Sequence, residues 1–80
     1  MLPHLARAVD RNGTASVIPM PVQGQILVHL EGRRAVVPTA KAYQLLQAAQ
    51  VPGITAREGT ARWRWQCRQV ASILLGDWQG

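Results

Sequence analysis

The amino-acid sequence predicts an α+β fold in which two β-hairpins, forming one antiparallel sheet, precede two helices that cover one of its faces. Three observations carry that expectation. Residues 25–31 alternate, with Ile26, Val28 and Leu30 on one side and Leu27, His29 and Glu31 on the other, which is the period of a strand. The stretch from Thr60 to Trp78 instead repeats its apolar residues at helical spacing. Between these patterns, Asn12-Gly13, Gly32 and Pro52-Gly53 supply turn signals.

The first hairpin is expected over 5–11 and 14–18. Asn12 and Gly13 both tolerate positive φ, as the two central residues of a type I′ turn must. A competing reading makes 3–11 a short helix, with Pro3 near its start and Gly13 past its end. Pro19 and Pro21 remove backbone donors, so a central strand is not expected to run through Pro19, Met20 and Pro21; the chain is expected to leave the sheet there or to run along its edge. Gly24 lets the chain turn back. The second hairpin joins 25–31 to 34–37, closed at Gly32, with Arg33 and Arg34 at its tip.

Val37 precedes a proline and is biased towards extended geometry. Thr39 then offers an N-cap oxygen for a helix over 40–50, with Ala42, Tyr43, Leu45, Leu46 and Ala49 turned inward and Pro52-Gly53 ending it. Thr55 and Glu58 have capping-box spacing, but Gly59 would then fall in the first turn at a cost of about 1 kcal/mol. The second helix is therefore expected over 60–76, with Thr60 as its cap and Gly76 as its stop.

On a 3.6-residue period Trp63, Cys67, Val70, Ala71, Leu74 and Trp78 share one arc of that helix, flanked by Ile73 and Leu75. The opposite arc holds Ala61, Arg62, Arg68, Gln69, Ser72 and Trp65. A tryptophan on the polar side is the anomaly of this chain, because the residue type is normally well covered.

At 80 residues, 48% of them hydrophobic, the chain has the size of one small domain and too much apolar content for disorder. No apolar run approaches the roughly 20 residues that cross a bilayer, and Met-Leu-Pro-His does not open a secretory signal, so a cytoplasmic protein away from the membrane is expected. Cys67 is the single cysteine, with neither a disulfide partner nor the paired spacing of a zinc site, and is expected to be a small buried residue. His4 and His29 have no companion ligands at metal spacing. No metal and no cofactor is expected.

Catalysis finds little support. Asp10, Glu31, Glu58 and Asp77 fall in different elements, mostly beside turns, whereas an acid/base pair must converge. The seven glycines are scattered rather than gathered into a phosphate loop, and Ser16 and Ser72 lie in no nucleophile motif. The expectation is a non-enzymatic protein.

Charge points elsewhere. The net charge is +5 and the pI about 11.2, with arginine the main source, and arginine binds phosphate and carboxylate bidentately and stacks on aromatic rings. Trp65 with Arg57, Arg62, Arg64 and Arg68 on the second helix and its approach, and Arg33 and Arg34 at the hairpin tip, form the candidate contact set. The expected partner is an anionic macromolecule, nucleic acid first, for a DNA-binding or regulatory module. The alternative is a small inhibitor, adaptor or assembly subunit, such as those of phages and plasmids, that binds an acidic protein surface; a homodimer is a further option.

A strand leading into a helix from Thr39, a short turn and a second helix resembles the ribbon-helix-helix plan of DNA-binding proteins. In that family one short strand pairs across a dimer, whereas 34–37 is taken up by its own hairpin. The family is therefore not assigned.

Overall fold

The computed structural model describes residues 2–76. Four strands, β1 (Ala8–Asp10), β2 (Ala15–Met20), β3 (Gln25–Leu30) and β4 (Arg33–Pro38), form an antiparallel sheet in the order β1-β2-β3-β4, followed by helices α1 (Thr39–Ala48) and α2 (Ala61–Leu74). The α+β architecture read from the sequence is the one observed. Asp77 and Trp78, and with them Trp78's place on the core arc, lie outside the described residues.

The register explains which face is covered. Val17 pairs with Val28 and Ala8, Ile26 with Val37, and Ala15 with Leu30, so these side chains share the face on which the helices lie. They meet Ala42 and Leu46 of α1 and Trp63, Cys67, Val70, Ala71, Ile73 and Leu74 of α2 in one continuous core. Period two on the strands and period 3.6 on the helices thus select complementary apolar surfaces. On the other face Val9, Ile18, Met20 and Leu27 are half-buried, Val36 is 53% exposed, and none of these is buried. Ile18, Leu27 and Val36 are register partners and make an aliphatic row across the uncovered side.

Several boundaries differ from expectation for identifiable reasons. The first hairpin pairs Asp10 with Ala15, so its connection is the four-residue turn Arg11–Thr14 rather than a two-residue Asn-Gly turn. Positive φ falls on Thr14, and Gly13 serves a steric purpose: a Cβ there would stand 2.3 Å from Oδ2 of Asp10. The two positive φ values of a type I′ turn occur instead at Glu31 (50°) and Gly32 (86°), which join β3 to β4. Glu31 therefore belongs to the turn and not to the strand.

Residues 5–7 are neither strand nor helix, against both readings of the N-terminal run. Upstream of them the chain is held on the helix side, where the His4 N–H donates to the Pro52 carbonyl and the Ile54 N–H donates to the His4 carbonyl. Strand β2 runs two residues past the expected end at 18, through Pro19 and Met20, which pair with Ile26 and Gln25; of the two courses expected there, the edge course is the one taken. Proline is tolerated because β1 ends its pairing at Val17, so β2 has one open edge there.

Helix α1 begins at Thr39 itself after Pro38, with no side-chain cap, and the Thr39 N–H donates to the Gly24 carbonyl. The expected Thr39 cap is not made. Its C-terminus closes two residues early, with Gln50 left-handed (φ 57°) and the Val51 and Gln50 N–H groups donating to the carbonyls of Leu46 and Gln47. These are the paired bonds of a Schellman stop, made here with glutamine in place of glycine. For α2 the Thr60 hydroxyl accepts from the Trp63 N–H at 3.2 Å, and Gly76 turns left-handed as expected. Among the described residues no helix is long and apolar enough to cross a membrane.

Candidate functional site

Helix α2 lies over β1, β2 and β3 with Trp63 inward, and the helical period then sends Trp65 outward. Trp63 is 6% exposed and Trp65 57%, which separates the two rings as the periodicity required. Arg57, Arg62 and Arg64 are also exposed. On an ideal wheel Arg62 and Arg68 lie about 60° to either side of Trp65, with Ser72 almost above it two turns on.

Trp65 borders a recess of about 270 Å³ lined also by Leu30, Arg68, Gln69 and Ser72. Leu30 forms part of its wall because the end of β3 passes beside α2. Arg68 is held rather than free. Its Nη1 donates to the Gly13 carbonyl at 2.7 Å and its Nη2 to Oε1 of Glu31 at 2.5 Å, which ties α2 to both hairpin tips. The Arg68 hydrogen bond and charge, with a smaller contribution from Arg33, hold the Glu31 carboxyl below its ordinary range. The pair is solvent-exposed, so its worth lies in orienting the guanidinium more than in stability.

The sequence-derived contact set is therefore divided. Trp65 and Arg68 are brought together; Arg62 and Arg64 share their helix, and Arg57 lies on the approach to it. Arg33 is the register partner of Leu30 and so sits at the recess end of β4. Arg34 pairs with His29 on the uncovered face of the sheet, away from Trp65. Strand alternation separates neighbours that the sequence presents side by side.

One residue on α2 was not singled out by its type. Gln66 is 2% exposed and sits among the buried apolar side chains. Its Oε1 accepts from the N–H groups of Thr55 (3.0 Å) and Ala56 (2.9 Å), and its Nε2 donates to the Thr55 hydroxyl (3.0 Å). It fastens the irregular 51–60 segment to α2. The signal was its position three residues after Trp63 and four before Val70, inside the core arc.

Cys67 is fully buried, and burial, reinforced by the negative charge of Asp10, pushes its thiol up to about 11. Such a thiol is protonated and unreactive at neutral pH. Asp10 is 3% exposed beneath the first hairpin turn, and its Oδ2 has no hydrogen-bond partner among the described residues. Among those residues no three His, Cys, Asp or Glu side chains gather to hold a metal ion. A second, larger groove of about 490 Å³ runs between the N-terminal segment and the end of α1, lined by Leu2, Pro3, His4, Gln47, Val51 and Thr55 among others.

No protein-family model matches the chain, and neither a curated protein nor a solved structure matches it.

Proposed function

We propose that this chain is a non-catalytic, basic binding protein that holds nucleic acid through the arginine-rich face of α2 around Trp65, acting as a regulatory or DNA-binding module. The observation that carries this reading is a 57% exposed tryptophan amid exposed arginines, in a chain of net charge +5. A core has no use for that ring where it stands, while phosphate neutralisation by arginine and stacking by an aromatic are the two recurrent parts of sequence-tolerant nucleic-acid binding. The test is a titration against oligonucleotides at rising salt. Affinity should fall steeply, with a log-log slope that reflects several phosphate contacts. Binding that barely responds to salt would remove the proposal.

The second reading, a protein partner or a homodimer, is supported by a different surface. The row Ile18, Leu27 and Val36 on the uncovered sheet face is apolar, and a four-stranded sheet gains by covering such a face. Salt-insensitive association, with a concentration-dependent mass in sedimentation velocity that a Leu27→Lys substitution abolishes, would favour it.

A further inference from the structure

We infer that the recess beside Trp65 is a subsite for one unpaired nucleobase, so that the strand taken by α2 is single-stranded; this rests on the nucleic-acid reading above. The recess has the parts such a base needs. Trp65 brings an indole, a flat stacking surface, and Gln69 and Ser72, which line the same space, are residue types that carry donors and acceptors for a base edge. At about 270 Å³ it is smaller than the roughly 300–1,000 Å³ pockets of drug-sized ligands, which suits a single ring system.

Charge is laid out to match. Arg68 is already tied to Gly13 and Glu31, so it contributes an oriented planar wall rather than a mobile phosphate contact. Arg62, on the other flank of Trp65, is exposed and stands about 4.5 Å further along the helix axis. From there its guanidinium reaches the phosphate of a nucleotide whose base lies on the indole. Arg64, also exposed, falls about 100° round the helix from Trp65 on the side opposite Arg62, so the phosphate contact rests on Arg62.

A duplex suits this surface less well. Its bases are stacked and offer no free ring face, and the exposed Glu31 carboxylate beside Arg68 adds negative charge at the recess. A strand with unstacked bases offers a free ring face.

The experiment compares the wild type with Trp65→Ala and Trp65→Phe on four probes: a 12-nucleotide oligothymidylate, an oligouridylate of the same length, a duplex of the same length, and inorganic polyphosphate, which has charge but no bases. Melting curves establish that both variants fold. Trp65→Ala should weaken binding to the single strands about 5- to 140-fold, the loss of one stacked base, and leave polyphosphate binding unchanged. Trp65→Phe should retain most of the affinity. Single strands should also quench a component of tryptophan emission that is missing in Trp65→Phe. Equal loss on polyphosphate, no loss on single strands, or a preference for the duplex would overturn the subsite while leaving the nucleic-acid reading in place. Failure of the wild type to bind any of the four would overturn both.

Discussion

Replacing Gln66 with leucine isolates the polar staple that holds the 51–60 segment to α2. Leucine keeps a comparable volume inside the core arc, so packing changes little, but the N–H groups of Thr55 and Ala56 lose the single oxygen to which both donate. A buried donor left without a partner costs about 1–3 kcal/mol. Both bonds are only partly buried, so the lower half of that range applies to each, and the sum is about 2–4 kcal/mol once the Thr55 hydroxyl's partner is also gone. An 80-residue domain has a total stability of about 4–12 kcal/mol. The loss is therefore a large share, equivalent to a fall in Tm of about 10–25 °C. Urea denaturation followed by circular dichroism measures it directly, with the slope of the transition expected to stay near that of the wild type. A midpoint shift worth less than about 0.5 kcal/mol would refute the staple, and would mean that the 51–60 segment is held by its apolar contacts alone.

Two further outcomes follow from the packing. Gly53→Ala places a Cβ 2.2 Å from the His4 carbonyl oxygen, on a backbone with φ of 96°. The His4 bridge should open, at a cost of about 1–3 kcal/mol, and hydrogen exchange at the His4 and Ile54 amides should accelerate while β3 stays protected. Amides at these two positions as slow as in the wild type would contradict the account. For Cys67, the folded thiol titrates near 11 against an ordinary 9.0, so the native state binds the proton more tightly than the unfolded chain. Stability should therefore be level below about pH 9 and decline as pH rises towards 11, with the decline absent in Cys67→Ala. Thiol labelling at pH 8 should be negligible in the native protein and complete in urea. Rapid labelling under native conditions would show that the helix face is not sealed.

Much of the fold was legible because period and punctuation are local. The alternation through β3, the 3.6 spacing through α2 and the Thr60 cap each depend on residues a few positions apart, and each appears where the sequence places it. The same logic separated Trp63 from Trp65. What could not be read locally were the devices that join distant segments. Gly13 is a turn glycine that also leaves room for the Asp10 carboxylate; Pro19 takes an edge position that exists because β1 ends early; Gln66 falls on the core arc, but the two backbone donors it answers lie eleven and ten positions away.

For the candidate site, the chemistry is already written in the linear chain: an aromatic ring on the polar arc of a helix, with arginines at i−3 and i+3. Composition and helical phase are sufficient for that, since both are properties of the chain taken alone. Folding adds that Arg68 is anchored to Gly13 and Glu31 while Arg62 is exposed, that Leu30 closes one wall of a recess, and that Arg34 faces away across the sheet. These depend on where the hairpin tips stand against α2. That position is set by how the sheet and helices bury their apolar faces together, which no single segment specifies.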